Sequence, residues 1–345
     1  MKNLKVQPLG PIICDLNSTE LGFDEIELLQ HPLIGGVILF SRNYESQEQL
    51  SELTLKIHQL RRPSLLIAVD HEGGRVQRFK NGFSQLPACG LIGKCEPLAK
   101  AKQLAENTGW LMAIELLSVG VDFSFAPVLD IGGEISEVIG DRAFHIEPDK
   151  ISKLANSYML GMRKAGMSAV GKHFPGHGSV IEDSHISIPL DNRQFDDILL
   201  QDIIPFKALI EAGIPGLMPA HITFPEIDDR PAGFSSIWLN EILRKQLKFK
   251  GTIFSDDLSM KGAETVGDYI ERTVLALEAG CDMALVCNNR EGVTYILDNM
   301  GKIDDNKSRE HLENMRGNFS FTYLELKTRK IWQEKSNEIN NFLHN

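Results

Sequence analysis

The chain has few cysteines, and none of them lies in a metal-binding or redox motif. The five cysteines are at positions 14, 89, 95, 281 and 287, with no CxxC pair and no Cys/His ligand spacing. Positions 14, 281 and 287 lie in apolar runs, which is typical of small buried side chains. No apolar run approaches the roughly eighteen residues of a membrane span, and the N-terminus has no signal-peptide core. We therefore expect reduced cysteines, no contact with a membrane and a cytoplasmic location.

Clusters of basic residues are also missing. The formal net charge is −11, and a nucleic-acid partner would need clustered Lys and Arg side chains for its phosphates. Hydrophobic and charged residues make up 42% and 24% of the chain, which is ordinary for a globular protein. No low-complexity linker divides the 345 residues, so we expect a single domain. We also expect a monomer that binds no nucleic acid.

Eight short apolar runs alternate with amphipathic stretches along the chain. Each run is rich in Val, Ile, Leu and Phe and is bounded by Gly, Pro or Asp, as in parallel strands buried on both faces. The predicted strands are 11–15, 36–40, 65–70, 122–126, 168–172, 216–219, 251–255 and 283–287. The main predicted helices between them are 46–60, 96–119, 151–165, 197–212, 236–247 and 268–279.

This alternation predicts an α/β fold, a single-domain (β/α)₈ barrel of the TIM type. The main alternative, a doubly wound sheet that binds a dinucleotide, would need a GxGxxG turn after its first strand. The chain has no such turn. We expect residues 1–300 to form the barrel and residues 301–345 to form a polar helical segment packed on the same domain.

Polar side chains follow five of the predicted strands in succession. In a barrel these positions meet at the carboxyl ends of the strands, where active sites form. The groups are Asp70–Arg78, Gly140–Arg142, Lys172-His173 with Asp183–His185, His221, and Asp256-Asp257. Five of the side chains supply the donors and acceptors that suit a ligand rich in hydroxyls, amides or carboxylates. They are Asp70, Arg78, Arg142, Lys172 and His173. The alternative is a salt-bridge network with only a structural role.

Asp183 and His185 are two residues apart, so in an extended loop they face the same way. A carboxylate beside an imidazole fixes its tautomer and favours its charged form, and such a histidine can donate and then accept a proton. A solvated loop with a chance histidine is the alternative. A metal bound by His173, His177 and His185 is another, although the proline and glycine between the first two prevent the HExxH helical arrangement.

Asp256 and Asp257 follow the seventh predicted strand. Adjacent side chains on a strand point to opposite faces, so we expect only one of the two in the pocket. The spacing does not decide which one.

Several of these motifs together resemble a known family. The segment Lys172–Gly178 with Asp183-Ser184-His185 resembles the bacterial β-N-acetylglucosaminidases of glycoside hydrolase family 3, the NagZ type. Similar stretches cover roughly residues 10 to 300 and are His31–Phe40, Asp70–Arg78, Phe125–Asp130, Phe254–Met260, Gly280–Met283 and Cys287–Arg290.

The resemblance implies a single (β/α)₈ barrel that removes terminal β-linked N-acetylglucosamine with retention, without a cofactor or a metal. Asp256 matches the nucleophile of the family, His185 its general acid/base and Asp183 the residue that pairs with His185. The five polar residues named above match its sugar-binding positions. The implied role is recycling of peptidoglycan fragments, in which N-acetylglucosamine is released from anhydromuramic acid and its peptides.

One departure from the family and one hypothesis follow from the same comparison. His71 stands where the family usually has Gln, next to the sugar-binding Asp70. Glycines at positions 176 and 178 suggest a loop that moves to deliver His185 after the substrate binds.

Three alternatives to this mechanism remain. The acceptor could be phosphate instead of water, the substrate's own acetamido group could attack in place of Asp256, or the protein could bind the sugar without cleaving it.

Overall fold

The structure is a computed structural model that describes residues 5–133, 136, 138–178, 180, 189–301 and 306–344. Eight parallel strands form its central sheet, in the hydrogen-bonded order β4-β3-β2-β1-β8-β7-β6-β5. They are β1 (Ile12–Asp15), β2 (Ile34–Leu39), β3 (Leu66–Val69), β4 (Phe123–Ser124), β5 (Val170–Phe174), β6 (Gly216–Pro219), β7 (Thr252–Asp257) and β8 (Met283–Val286).

The two edge strands of this order meet through the segment that follows β4. The Val170 amide donates to the Ala126 carbonyl at 2.8 Å, and the Leu129 amide donates to the Lys172 carbonyl at 2.7 Å. These bonds bring β4 and β5 together and close the sheet. The predicted TIM-type barrel is therefore confirmed, with all eight predicted strands present in the predicted order.

The helices lie outside the sheet, between successive strands. Before β5 they are Phe23–Leu29, Gln47–His58, Cys89–Gly93, Leu98–Ser118 and Pro148–Ala165. From β5 to β8 they are Phe195–Leu200, Ile203–Glu211, the π-helical segment Ile237–Gln246, and Tyr269–Ala279. After β8 come Arg290–Asn299, Asn306–Glu313, Tyr323–Lys327 and Lys330–His344.

Most predicted bounds are shifted by one to three residues, and two differences divide an element or involve a predicted site residue. The predicted helix 197–212 is divided into two helices at Gln201 and Asp202, where the buried Asp202 carboxylate binds Arg193 Nη1 at 2.7 Å. The fifth strand extends to Phe174 and so includes His173.

Short two-stranded sheets lie at the two ends of the barrel. His71–Gly73 and Val76–Gln77 form an antiparallel hairpin directly after β3. Thr223–Phe224 pairs with Asp228–Pro231 after β6, and Lys5–Val6 pairs with Arg61–Arg62 at the opposite end. The first two pairs extend the barrel at its carboxyl end, where the predicted site residues lie.

Aromatic side chains fill the barrel interior. The rings of Phe123, Phe125 and Phe254 lie 5.2 to 5.5 Å from one another, although β4 and β7 are not neighbours in the sheet. Contact across the sheet places all three rings inside the barrel, as the apolar floor beneath the polar carboxyl end. No helix in the described part of the chain is long and apolar enough to cross a membrane.

The C-terminal helix Lys330–His344 packs on the long helix Leu98–Ser118. Trp332 Nε1 donates a hydrogen bond to Glu115 Oε1 at 2.8 Å, and Asn107 Nδ2 donates to Glu338 Oε2 at 2.8 Å. The polar composition of this segment therefore does not prevent it from making specific contacts with the barrel's outer layer.

Candidate active site

The carboxyl ends of β3 and β5 carry a buried network of opposite charges. Lys172 Nζ, on β5, lies 2.7 Å from Asp70 Oδ1 and 2.6 Å from Glu72 Oε1. Arg142 holds Glu72 with two parallel hydrogen bonds of 2.8 Å. Arg78 Nη2 is 3.7 Å from Asp70 Oδ2. Asp70 and Glu72 are two residues apart on an extended segment, and both therefore point toward the same charged group.

The charges in this network hold one another in the ionised form. Burial alone would raise the pKa of Glu72, but the positive charges of Arg142 and Lys172 outweigh it and lower that pKa well below the usual range. Burial disfavours the charged form of Lys172, yet Asp70 and Glu72 raise its pKa above the ordinary value. The network therefore holds charged donors and acceptors in fixed positions at the carboxyl end of the barrel.

Asp130 binds His173, on β5, and His177, in the segment that follows β5. Its carboxylate accepts a 2.7 Å hydrogen bond from His173 Nδ1 and a 2.8 Å bond from the His177 backbone amide. His173 thereby turns Nε2 away from the carboxylate, with the tautomer fixed by its partner. Burial raises the pKa of Asp130, but His173 outweighs this and the pKa lies below its ordinary value.

Gly176 and Gly178, in the segment after β5, lie where a larger side chain would collide with neighbouring atoms. Gly176 has φ of 149°, and a Cβ there would lie 2.7 Å from Asp202 Oδ1. At Gly178 a Cβ would lie 1.7 Å from the Ile131 carbonyl oxygen. Close packing explains both residues, and the hypothesis of a moving loop stays a prediction.

Asp256 and Asp257 at the end of β7 have different environments. Asp257 Oδ1 accepts hydrogen bonds from the backbone amides of Ser259 at 2.9 Å and Cys287 at 3.0 Å, which ties this carboxyl to the segment after β8. Burial, with the Asp256 charge adding to it, raises the pKa of Asp257 to about 7. Burial lowers the pKa of His177 and of His221, which follow β5 and β6, and the Asp256 charge offsets part of that shift in both. Asp256 Oδ1 accepts a 2.8 Å hydrogen bond from the Asp257 backbone amide, so the two carboxyls differ in their backbone contacts.

His221 supports the backbone of this pair from the neighbouring strand. Its Nε2 donates to the Asp257 carbonyl at 3.1 Å, and its ring stacks on Phe234 at 5.1 Å with an interplanar angle of 10°. Burial lowers the pKa of His221, so the ring is held in its neutral form. It therefore contacts Asp257 through the main chain.

His71 points to the opposite face from Asp70. Its ring lies 5.6 Å from that of Phe79 and 5.8 Å from that of Phe83. Burial, with the charge of Arg78, lowers the pKa of His71 to about 3. The residue that departs from the family pattern is therefore a neutral part of an aromatic cluster with Phe79 and Phe83.

The structure brings together most of the predicted site residues. Asp70, Arg142 and Lys172 are linked by the charged network, with Arg78 at its edge. His173 lies next to Lys172 on β5, and Asp256 occupies the end of β7. Asp183 and His185 lie outside the described residues.

Sequence reasoning missed two carboxylates. Glu72 is the central acceptor of the network, and Asp130 holds His173. Glu72 had a detectable signal, because a residue two positions after a strand-end aspartate shares its face. Asp130 is the last residue of the Phe125–Asp130 motif, but no feature of the neighbouring sequence indicates that its side chain binds His173 on β5.

The metal alternative involves His173, His177 and His185, of which His185 lies outside the described residues. The rings of His173 and His177 are 6.0 Å apart, and Asp130 binds His173 Nδ1. Within the described ranges, no group of three His, Cys, Asp or Glu side chains is placed to hold a metal ion.

Comparisons with known proteins agree with this geometry. The sequence model of the glycosyl hydrolase family 3 N-terminal domain matches residues 12–314. The β-hexosaminidase of Thioalkalivibrio sulfidiphilus is 53% identical over 334 residues, which are 96% of each chain. That of Hydrogenovibrio crunogenus is 50% identical over 342 residues, 99% of this chain and 96% of its own.

A solved structure matches over nearly the whole fold. The crystal structure of NagZ from Neisseria gonorrhoeae in complex with N-trifluoroacetyl-D-glucosamine is 40% identical, with a TM-score of 0.94. The match covers 98% of this chain and 99% of that one. This protein therefore belongs to glycosyl hydrolase family 3, and it is a glycoside hydrolase of the β-N-acetylhexosaminidase type.

Proposed function

We propose that this protein is a retaining exo-β-N-acetylglucosaminidase that removes terminal β-1,4-linked N-acetylglucosamine from peptidoglycan fragments. Its substrates would be N-acetylglucosaminyl-anhydromuramic acid and the peptide-bearing forms, which are recycled in the cytoplasm. The ligand in the Neisseria structure, an N-acylated glucosamine, supports the sugar specificity. No cofactor is needed for this reaction.

The observation that carries the proposed mechanism is the contrast between Asp256 and Asp257. The Asp257 carboxyl accepts hydrogen bonds from the Ser259 and Cys287 backbone amides, and burial raises its pKa to about 7, whereas the charge of Asp256 acts on His177 and His221, which follow β5 and β6. We assign Asp256 as the nucleophile that forms the glycosyl-enzyme. Asp70, Arg78, Arg142, Lys172 and His173 bind the sugar.

Most retaining glycosidases use a second carboxylate as acid/base. Here we assign that role to His185, oriented by Asp183, on a loop that closes over the substrate. Protonated His185 would donate to the leaving oxygen as Asp256 attacks the anomeric carbon. Neutral His185 would then take a proton from the water that releases the sugar.

The test compares hydrolysis of 4-nitrophenyl N-acetyl-β-D-glucosaminide by the wild type, Asp256→Asn, Asp257→Asn and His185→Ala, all with EDTA present. We expect wild-type turnover, a loss of at least about 10³-fold in Asp256→Asn and of about 10²–10⁴-fold in His185→Ala. Asp257→Asn is the matched control, because Asn can still accept both backbone hydrogen bonds. Equal activity in the two Asp variants would contradict the nucleophile assignment, and loss of activity with EDTA would point to a metal.

A second assay addresses the intermediate and the acceptor. Mass spectrometry after reaction with a 2-fluoro sugar should find a glycosyl adduct on Asp256, and its absence would favour attack by the acetamido group. Products from N-acetylglucosaminyl-anhydromuramic acid should be the same with and without inorganic phosphate. A sugar phosphate among them would show that phosphate replaces water.

A further inference from the structure

We propose that the C-terminal segment, Tyr323–Lys327 together with Lys330–His344, is a positioning element for the sugar-binding residues Asp70 and Arg78. It acts through Glu115 and through residues 78–86, here called the Arg78 loop. This inference rests on the proposed function, in which Asp70 and Arg78 bind the sugar.

Glu115 joins the C-terminal helix to the Arg78 loop. Its side chain is only 1% exposed and accepts hydrogen bonds from the Ser84 amide at 3.0 Å, Ser84 Oγ at 2.6 Å and Trp332 Nε1 at 2.8 Å. Ser84 Oγ also lies 3.0 Å from Ser336 Oγ. A buried carboxyl must be satisfied by such donors, so the loop and the helix are held by one shared acceptor.

Gln77 carries this constraint from Ser84 to the site. Its Nε2 donates to the carbonyls of Ser84 at 2.9 Å and Phe79 at 3.1 Å, and its Oε1 accepts from the Leu86 amide at 3.0 Å. The strand Val76–Gln77 pairs with His71–Gly73. One end of the Arg78 loop is therefore fixed to the residues that directly follow Asp70.

A series of aromatic contacts forms a second link between the C-terminal segment and Asp70. The Tyr323 hydroxyl donates to the Gly82 carbonyl, and its ring lies 6.0 Å from Phe83. Phe83 packs on Phe79 at 5.6 Å, and Phe79 on His71 at 5.6 Å. His71 is adjacent to Asp70, so the C-terminal segment supports both sugar-binding residues from behind.

Arg78 depends on this support because its own contacts are loose. Its guanidinium is 3.7 Å from Asp70 Oδ2 and 5.7 Å from the centre of the Phe40 ring. The side chain is 31% exposed. A shift of the loop backbone would therefore move the guanidinium, while Asp256, on β7, lies outside these contacts. Loosening the loop should weaken substrate binding and leave the chemical step unchanged.

The test uses Trp332→Phe, which keeps the ring and removes its N–H, and Ser84→Ala, which removes the shared hydroxyl. Glu338→Ala is the matched control, because Glu338 bonds the same two helices through Asn107 at 2.8 Å without touching the loop. We expect KM for the nitrophenyl substrate to rise about tenfold in the first two variants. We expect kcat to stay within about twofold in all three and KM to stay at the wild-type value in the control.

Hydrogen exchange of the amides of residues 78–86 gives a second readout that does not depend on turnover. Faster exchange in Trp332→Phe and Ser84→Ala, but not in Glu338→Ala, is expected. Equal exchange in all proteins overturns the inference, and so does an unchanged KM in Trp332→Phe and Ser84→Ala, whether or not their melting temperature is lowered. A wild type that hydrolyses nothing would refute the proposed function, whereas equal exchange would refute the positioning role independently.

Discussion

At the scale of the residue, Glu72 shows how a buried charge depends on its partners. It is 3% exposed and binds both Arg142 and Lys172. Removing one member of a buried ion pair leaves the others uncompensated, which costs much more than the pair's net contribution.

We therefore expect Glu72→Gln to lower the free energy of unfolding by about 3 kcal/mol in urea denaturation at pH 7. Because the folded-state pKa of Glu72 lies below its ordinary value, this contribution is present at neutral pH and diminishes as the pH falls below the ordinary value. Glu264→Gln is the control, since the exposed Lys261–Glu264 pair should contribute nothing measurable. Equal stability of the two variants would mean that Glu72 is not ionised.

The stability that Asp257 contributes changes with pH in the opposite direction to that of Glu72. Its pKa in the folded protein is raised from 3.8 to about 7, so the folded protein holds this proton more tightly than the unfolded chain. The resulting stability is present below about pH 4 and is lost as the pH rises toward 7.

Between pH 5 and pH 8 we expect the free energy of unfolding of the wild type to fall by about 2 kcal/mol more than that of Asp257→Asn. Urea denaturation of both proteins at the two pH values measures this difference. Parallel curves would show that Asp257 is ionised throughout.

At the scale of the element, glycines determine how closely two long helices approach. Helix Leu98–Ser118 crosses helix Pro148–Ala165 at Gly109 and Gly161. A Cβ at Gly161 would lie 2.0 Å from the Glu106 carbonyl oxygen, and one at Gly109 would lie 2.2 Å from the Tyr158 carbonyl oxygen. Backbone atoms of one helix therefore occupy the space where the other would carry a side chain.

Gly161→Ala should lower the free energy of unfolding by about 1–3 kcal/mol, because the helices must separate to admit the methyl group. The intrinsic helix preference of Ala acts in the other direction, so a loss identifies the packing effect. Gly301→Ala, where no atom lies within 4 Å of the added Cβ, is the control. Stabilisation of Gly161→Ala in urea denaturation would contradict the close crossing.

The strands were predicted from the sequence better than the helices. Continuous runs of Val, Ile, Leu and Phe predict buried parallel strands directly, and each of the eight was found. The break at Gln201 and Asp202 was not predicted because it accompanies a contact between Asp202 and Arg193. The pattern of apolar residues continues through this break and gives no sign of it.

At the scale of the whole molecule, the barrel places residues from distant parts of the chain at one end. Asp70, Arg142 and Lys172 come from after β3, after β4 and on β5, and the closure of the sheet between β4 and β5 brings them together. Parallel strands direct all their carboxyl ends to the same side, which is why the predicted polar groups converge.

The sequence by itself determined the eight strands, the barrel class, the family and most of the polar residues at the barrel mouth. These follow from local composition and from motifs whose residues are close in the chain. Only the tertiary structure decided that Asp257 binds the Ser259 and Cys287 backbone amides, that Glu72 joins Arg142 to Lys172 and that Asp130 binds His173. The same holds for the contact of the C-terminal segment with the Arg78 loop, where Ser84 and Trp332 bind one carboxylate. Such contacts depend on which side chains meet across the folded chain, and no local pattern of residues encodes that.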